Sequence, residues 1–320
     1  MKSIDRRDFL KTIGSGIIIA GLPISIAYSK ELFKAKASIS QLHYDTCYAH
    51  WFVGKKLGFY KEEGIEQELF DIAGGGETIR SITIGGMNWG GIGVPGAISA
   101  SQKGEPIKII GGDVAVPLIN WLVKKDSQIK SIKDLKGKKI GYSKPYSNTH
   151  FLLVKSLKEE NIAIEDVKLL SAGGLAEAIT ALKTGMVDCT YGAPLIAGKF
   201  EKDVRVLWQT SDYFPIYYTT VIGTNDTMIK EHSDILKGFL RAHQKSIDWV
   251  ENNRDEAVKI WAEGAEFKDV DMAIKAMKLY KKGSWNTKLD FKALKQIEDD
   301  LIEFKQINKK VEWDKLVINL

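Results

Sequence analysis

The sequence predicts a two-lobed α/β protein whose halves repeat one supersecondary unit. Three observations carry this. Strand-like and helix-like segments alternate from residue 38 to about residue 224, the mark of parallel βαβ units with right-handed crossovers. Within that span "GMNWGGIGVP" (Gly86 to Pro95) and "GMVDCTYGAP" (Gly185 to Pro194) share Gly-Met at the start and Gly-x-Pro at the end, at a constant offset of 99 residues. Each is preceded by a glycine turn and an amphipathic helix, "AGGGETIRSITI" and "AGGLAEAITALKT", as expected of a repeated unit. Finally, a chain of 320 residues with 44% apolar and 27% charged residues is long for one core and ordinary for two lobes.

The elements follow in order. Segments 38–44, 65–72, 88–94, 107–113 and 119–125 read as strands, with helices over 46–58, 76–84 and 96–103 between them. A second block, 131–143, 150–162, 166–171, 176–184, 187–191 and 204–209, repeats the alternation. After "YYTTVIGT" (Tyr217 to Thr224) the pattern turns helical, and residues 226–320 read as nearly all helix.

Ahead of the fold, "DRRDFLK" (Asp5 to Lys11) precedes a mildly apolar stretch of 16 residues that contains Pro23, short for a membrane span and suited to a signal h-region. The Arg6-Arg7 pair resembles a twin-arginine export signal, with Asp5 where Ser or Thr is usual. Cleavage is expected near residue 27 or 29. It would remove four basic and two acidic residues, taking the formal charge from +5 to +3. Lysines interleaved with acids along the chain argue against a nucleic-acid surface. The two cysteines, Cys47 and Cys189, fall in different halves and are expected to be free thiols. The five histidines are dispersed, His50 is expected to pack on its own helix, and neither a metal site nor a cofactor is expected.

Candidate binding residues lie at strand-to-helix junctions, where the first amides of a helix and its macrodipole favour a polar or anionic group. "GYSKPYSNTH" places Ser143, Ser147, Asn148 and Thr149 at one such junction, more capping side chains than a helix start needs. They either grip a ligand or over-provide a cap. Gly74, Gly75 and Gly76 precede one helix, and Gly173 and Gly174 another. They bring backbone close to a ligand or serve plain turns. Tyr44, Asp45, Thr46 and Tyr48 follow the first strand, Asp45 either binding an amine or capping the next helix. The repeated strand ends add Trp89, Gly93 and Val94 from one half and Cys189, Tyr191 and Gly192 from the other, and their aromatics suit a flat apolar part on the ligand. Basic residues are scarce among these candidates, so an anion would be held by amides and hydroxyls. Trp51, Trp121, Trp208, Trp249 and Trp261 are read as core.

Four segments together resemble a known family: "AHWFVGKKLGFYKEEGIEQEL", "GGGETIRSITIGGMNWGGIGVPGAISASQKGEPIKIIGG", "SIKDLKGKKIGYS" and "DILKGFLRAHQKSIDWVENNRDEAVKIWAE". Their order and spacing are similar to the periplasmic-binding-protein-like type II fold. Within it they resemble the NMT1/THI5-like solute receptors of ABC importers for sulfonate, taurine, nitrate and thiamine-pyrimidine. The resemblance implies two hinge crossovers, near residues 124 and 216, with lobe 1 formed by 38–124 plus 217–320, lobe 2 by 125–216, and a ligand cleft between them. It implies an exported periplasmic monomer that hands a small molecule to an importer permease after passage through the twin-arginine translocase. The solute is expected to be an organic acid or sulfonate with an aromatic part, or alternatively an uncharged pyrimidine. A relative of the fold is an enzyme making the thiamine pyrimidine with pyridoxal phosphate on a lysine and a cysteine-rich iron motif. This chain has no such cysteine cluster.

Overall fold

In a computed structural model, the residues described are 31–40, 42–72, 74–117, 119–214 and 217–320. The export-signal reading lies outside them. Ten strands form two five-stranded sheets. The first sheet contains β1 (Phe33–Ser40), β2 (Ile65–Ile72), β3 (Trp89–Ile92), β4 (Ile107–Val114) and β10 (Thr220–Asn225), in the order β2-β1-β3-β10-β4. The second contains β5 (Asn120–Lys124), β6 (Lys139–Tyr142), β7 (Lys168–Ser171), β8 (Cys189–Gly192) and β9 (Val204–Gln209), in the order β7-β6-β8-β5-β9. The two orders are the same pattern, and the two Gly-Met…Gly-x-Pro segments supply the same central strand in each, β3 and β8.

Two expectations shift. The chain enters the fold at Phe33, five residues earlier than read, and Leu42–Tyr44 form a turn instead of a strand end. The stretch 120–124, read as the end of lobe 1, is hydrogen-bonded into the second sheet between β8 and β9. The first crossover therefore lies between Val114 and Asn120, and the return lies between Gln209 and Thr220. β5 and β10 also run antiparallel to their neighbours, because each enters its sheet straight from a crossover and not through a helix. The two crossovers are bonded to each other: the Thr210 amide donates to the Ile119 carbonyl (2.9 Å) and the Thr219 amide to that of Val114 (2.8 Å).

Each sheet has its own core. Trp51, Trp89, Phe239 and Trp261 anchor one beneath β1 and β3. Trp121, stacked on Trp208 at 5.1 Å, anchors the second. A third cluster joins residues on both sides, with Phe151 of the helix Asn148–Glu159 packed among Val94, Ile98 and Tyr217. Residues 226–320 are less helical than the sequence suggests. Between the helices Val270–Met277 and Phe291–Glu303 runs an irregular stretch that lies along β4, where the Gly112 amide donates to the Thr287 carbonyl (2.8 Å) and that of Ala115 to Ser284 (2.8 Å). It covers the open edge of β4 and delivers Tyr280 to the space between the sheets. Among the described residues no helix is long and apolar enough to cross a membrane.

Candidate functional site

A cavity of about 700 Å³ opens between the two sheets. Twelve of the residues nominated from sequence line it: Asp45, Tyr48, Gly74, Gly75, Gly76, Gly93, Ser143, Ser147, Asn148, Thr149, Tyr191 and Gly192. On the second-sheet side, β6 ends at Tyr142 and the helix Asn148–Glu159 begins after a tight turn with Tyr146 at φ 63°. Ser147 is the cap, its Oγ accepting from the His150 amide (3.3 Å). Ser143, Ser147 and Thr149 close a ring of hydroxyls at 2.8, 2.9 and 2.8 Å, and Thr149 Oγ1 also accepts from the Ser143 amide (2.9 Å). One hydroxyl satisfies the cap, so the other two are surplus to it. Hydroxyl protons rotate, which lets the ring redirect a donor to a ligand oxygen while the Asn148 and Thr149 amides lie at the same helix start.

Asn148 does something else. Its amide nitrogen donates to the Thr219 carbonyl and its Oδ1 accepts from the Tyr217 hydroxyl (3.0 Å), so it ties the second lobe to the return crossover. A Cβ on Gly93 would sit 2.8 Å from that Oδ1, so a side chain there would push the Asn148 amide off these two partners.

On the first-sheet side Asp45 caps the short 3₁₀ turn Thr46–Tyr48. Its Oδ1 accepts from the Cys47 amide (3.0 Å) and from the Tyr280 hydroxyl (2.8 Å). Burial pushes its carboxyl up to about 6 against the pull of those two bonds. Cys47 also lines the cavity, and burial next to Asp45 and Asp113 pushes its thiol well above the usual range.

Seven nominated residues do not line it: Gly174 and the six that follow. Trp89 is fully buried, donates its indole N–H to Gln67 Oε1 (2.9 Å) and packs on Phe239. Val94 is core, since the helix Val94–Gln102 turns its first apolar residue inward. Thr46 is buried, while Tyr44 lies on the outer turn, 39% exposed. Gly173, at φ 76°, serves its turn and accepts the Tyr191 hydroxyl on its carbonyl (2.6 Å). Cys189 is likewise core, and Cys47 and Cys189 are free thiols in separate cores.

Sequence reading missed the groove that continues the cavity between the helices Gly75–Thr83 and Val94–Gln102. Glu77, Arg80 and Thr83 face it from one helix, Gly96, Ser99 and Lys103 from the other. Basic residues are thus present after all. The helical spacing of Arg80 from the glycine turn was the available signal; for Tyr280, far along the chain, there was none. The dispersed histidines also converge: His50 Nε2 and His243 Nε2 lie 2.6 and 3.1 Å from one oxygen of buried Asp113. An ionised carboxylate only accepts, so both imidazoles donate, and the His243 Nδ1 lies 2.9 Å from the Tyr60 hydroxyl. These three residues are close enough to share a cation; both Nε2 atoms are taken up by Asp113, while the buried His50 Nδ1 has no hydrogen-bond partner among the described residues.

Residues 45–257 match the family model described as NMT1/THI5 like. The chain belongs to the NMT1/THI5-like family. Among curated relatives, a protein of Haemophilus influenzae named for thiamine biosynthesis is 24% identical over 80% of this chain and 79% of its own length. The formylaminopyrimidine-binding protein of Halalkalibacterium halodurans is 24% identical over 65% of this chain and 64% of that protein. A 4-amino-5-hydroxymethyl-2-methylpyrimidine phosphate synthase of Schizosaccharomyces pombe is also 24% identical, over 63% of this chain and 61% of that enzyme. Among solved structures, the alkanesulfonate-binding protein SsuA of Xanthomonas axonopodis pv. citri bound to MOPS superposes with a TM-score of 0.79 over 91% of this chain and all of that one, at 15% identity. The desulfurization enzyme DszB shares the architecture, with a TM-score of 0.66 over 90% of this chain and 96% of that one, at 15% identity. The fold is therefore the periplasmic-binding-protein-like one, and this NMT1/THI5-like chain carries its two-sheet architecture with the cavity between.

Proposed function

We propose that this chain is the solute-binding receptor of an ABC importer, exported through the twin-arginine route and cleaved near residue 27 or 29, and acting as a monomer in the periplasm. Its two lobes, divided before Asn120 and again ahead of Thr220, close on one small organic solute and present a joint surface to the permease. The observation that carries this reading is the ring of Ser143, Ser147 and Thr149 hydroxyls at a helix start facing the cavity: a set of donors beyond what the cap uses, in the place where open α/β sheets bind ligands. The SsuA neighbour, bound to MOPS, and the formylaminopyrimidine-binding relative both favour receptor over catalyst. They also bracket the solute, a sulfonate or organic acid with a flat apolar part on one side and an uncharged pyrimidine on the other.

The synthase relative favours a second reading, a pyrimidine-forming enzyme. The residues here fit it poorly. The one lysine among the described cavity residues is Lys103, at the groove end with its ammonium 5.6 Å from the centre of the Tyr146 ring. The cavity thiol of Cys47 is held protonated by burial and neighbouring acids, the opposite of an activated nucleophile. Absence of a lysine–pyridoxal absorbance band after incubation with pyridoxal phosphate is the expected result, and its appearance would restore the enzyme reading.

The receptor reading is tested by thermal shift against a panel of small acids, sulfonates and pyrimidines, because a ligand of the native state raises the midpoint. With a ligand in hand, Ser147→Ala/Thr149→Ala removes two hydroxyls, each bond costing about 0.5–1.5 kcal/mol and more for a charged group, so affinity should fall about tenfold. A drop in melting midpoint with affinity held within about twofold would mean that the hydroxyls only cap the helix.

A further inference from the structure

The cavity is electrically lopsided. At its first-sheet end Asp45 lies on the wall, and Asp113 lies directly behind Gly91, whose added Cβ would come 3.3 Å from Asp113 Oδ2. Both Asp45 and Asp113 raise the neighbouring Cys47 thiol and Tyr48 phenol, so their field reaches this end of the cavity. The cavity's basic side chains lie elsewhere, Arg80 and Lys103 in the side groove. Lys144, near the hydroxyl ring, is bound to Glu77 at 2.9 Å.

Asp45 itself is under-used. An ionised carboxylate offers about four acceptor positions. The Cys47 amide and the Tyr280 hydroxyl both land on Oδ1, with the Cys47 thiol as a weaker partner. A cap residue normally pays little for its charge because it sits at the surface. This one is half-buried in the wall of a ligand cavity, where burial already raises its carboxyl and a cation or a strong donor would favour its charged form.

We infer that Asp45 is a selectivity residue that receives a basic nitrogen, and that the solute is therefore an organic amine or amidine whose opposite end is a polar or anionic group held by the Ser143–Ser147–Thr149 ring. This rests on the receptor reading above. Asp45 supplies the ionic partner, Tyr280 and the Cys47 amide hold its Oδ1 in place, and Oδ2 takes the nitrogen's proton-bearing face. The other charged or titratable groups packed around it are accounted for. Tyr48 and Tyr280 are phenols pushed well above their usual range by burial. Asp113 is bound by His50 and His243, and Asp71 is paired with His43 at 3.2 Å. Arg254, beside Trp285, is bound to Glu251 and to the Tyr280 carbonyl. Arg254, the fixed cation among these groups, already has an anionic and a carbonyl partner, so the ligand's nitrogen is the partner Asp45 lacks.

The test uses matched probes: 2-aminoethanesulfonate against 2-hydroxyethanesulfonate, and 4-(aminomethyl)benzoate against 4-(hydroxymethyl)benzoate. Titrated calorimetrically at about pH 7.5, the amine of at least one pair should bind about tenfold tighter than its hydroxyl analogue, and Asp45→Asn should shrink that ratio to about twofold. In the wild type the ratio should also shrink at about pH 5, where Asp45 is protonated, while in Asp45→Asn it should not change with pH. A protein-only measurement accompanies it. Asparagine keeps an acceptor for Cys47 and Tyr280 without the charge, so the melting midpoint of Asp45→Asn should rise at about pH 7.5 and match wild type near pH 4. A midpoint that falls at both pH values would make Asp45 only a cap and overturn the inference. Nitrogen-free acids binding as tightly as the amines, with Asp45→Asn indifferent, would also overturn it and leave the receptor reading standing. If neither amines nor nitrogen-free acids raise the midpoint in the wider panel, the receptor reading falls and takes this inference with it.

Discussion

Asp113 is fully buried, and three donors converge on it: His50 Nε2, His243 Nε2 and the Thr220 hydroxyl at 2.7 Å. Burial alone would raise its carboxyl, but the two imidazoles overcome that and hold it well below the usual carboxylate range. His243 goes the same way for a different reason: burial pushes it down to about 4, against the upward pull of Asp113. Below its ordinary value of 6.5 the unfolded chain binds a proton that folded His243 refuses, so stability is lost as pH falls from 6.5 towards 4, by up to about 3 kcal/mol. The contribution of Asp113 is lost below its ordinary value of 3.8. Asp45 works in the opposite sense over part of the same range, its destabilising charge disappearing as pH drops through about 6. The two contributions nearly cancel, so the melting midpoint should stay nearly level from about pH 6.5 to 4 and decline below about 3.8, whereas in His243→Gln it should rise as pH falls from 6.5 to 4; an identical pH slope in the variant would rule out titration at this site. Neither half of the network was legible in sequence. His50 looked like a residue packing on its helix because nothing local announces a partner on β4.

At the scale of elements, the repeated unit was legible because the same backbone problem is solved twice. β3 and β8 are short central strands, each entered from a helix that starts at a glycine turn (Gly75–Thr83 and Leu175–Thr184) and each left at a strand end that opens on the cavity. β3 approaches β1 so closely that a Cβ on Gly90 would lie 2.1 Å from the Ser38 carbonyl oxygen. Gly90→Ala must push the two strands apart, and its expected cost is about 1–3 kcal/mol or more, read as a lower urea midpoint with an unchanged slope. A wild-type midpoint would show that the strands have slack there. The placement of β5 was not legible. A short apolar strand such as "NWLVK" carries no mark of which sheet it joins, and only the pairing with Cys189–Gly192 and Val204–Gln209 decides it. Trp89 and Val94 were misread too. Trp89 opens β3 at the end away from the cavity-lining Gly93, and Val94 already belongs to the next helix, whose first apolar residue turns inward.

Across the whole molecule the two lobes touch on both sides of the cavity. At its mouth Glu77 of one lobe meets Lys144 of the other at 2.9 Å, and this ammonium lowers the Glu77 carboxyl. Behind it the helix Phe291–Glu303 reaches over to the helix Asn148–Glu159 through Lys155–Asp300 and Lys158–Glu303. The front pair is exposed on both partners, so it contributes little, on the order of 0–1 kcal/mol, and is screened by salt. Reversing one charge in Glu77→Lys should weaken ligand affinity by less than about fivefold at low salt, with the double reversal Glu77→Lys/Lys144→Glu recovering it. If the double variant binds no better than the single, the pair plays no part in closure. The crossovers have a consequence for how the chain is made. The second sheet is drawn from one unbroken run, Asn120 to Gln209, whereas the first cannot be finished until Thr220–Asn225 slides between β3 and β4. During synthesis the later-numbered sheet is thus the one that closes first, and the earlier half of the chain waits, with a gap in its middle, for a strand made more than a hundred residues afterwards.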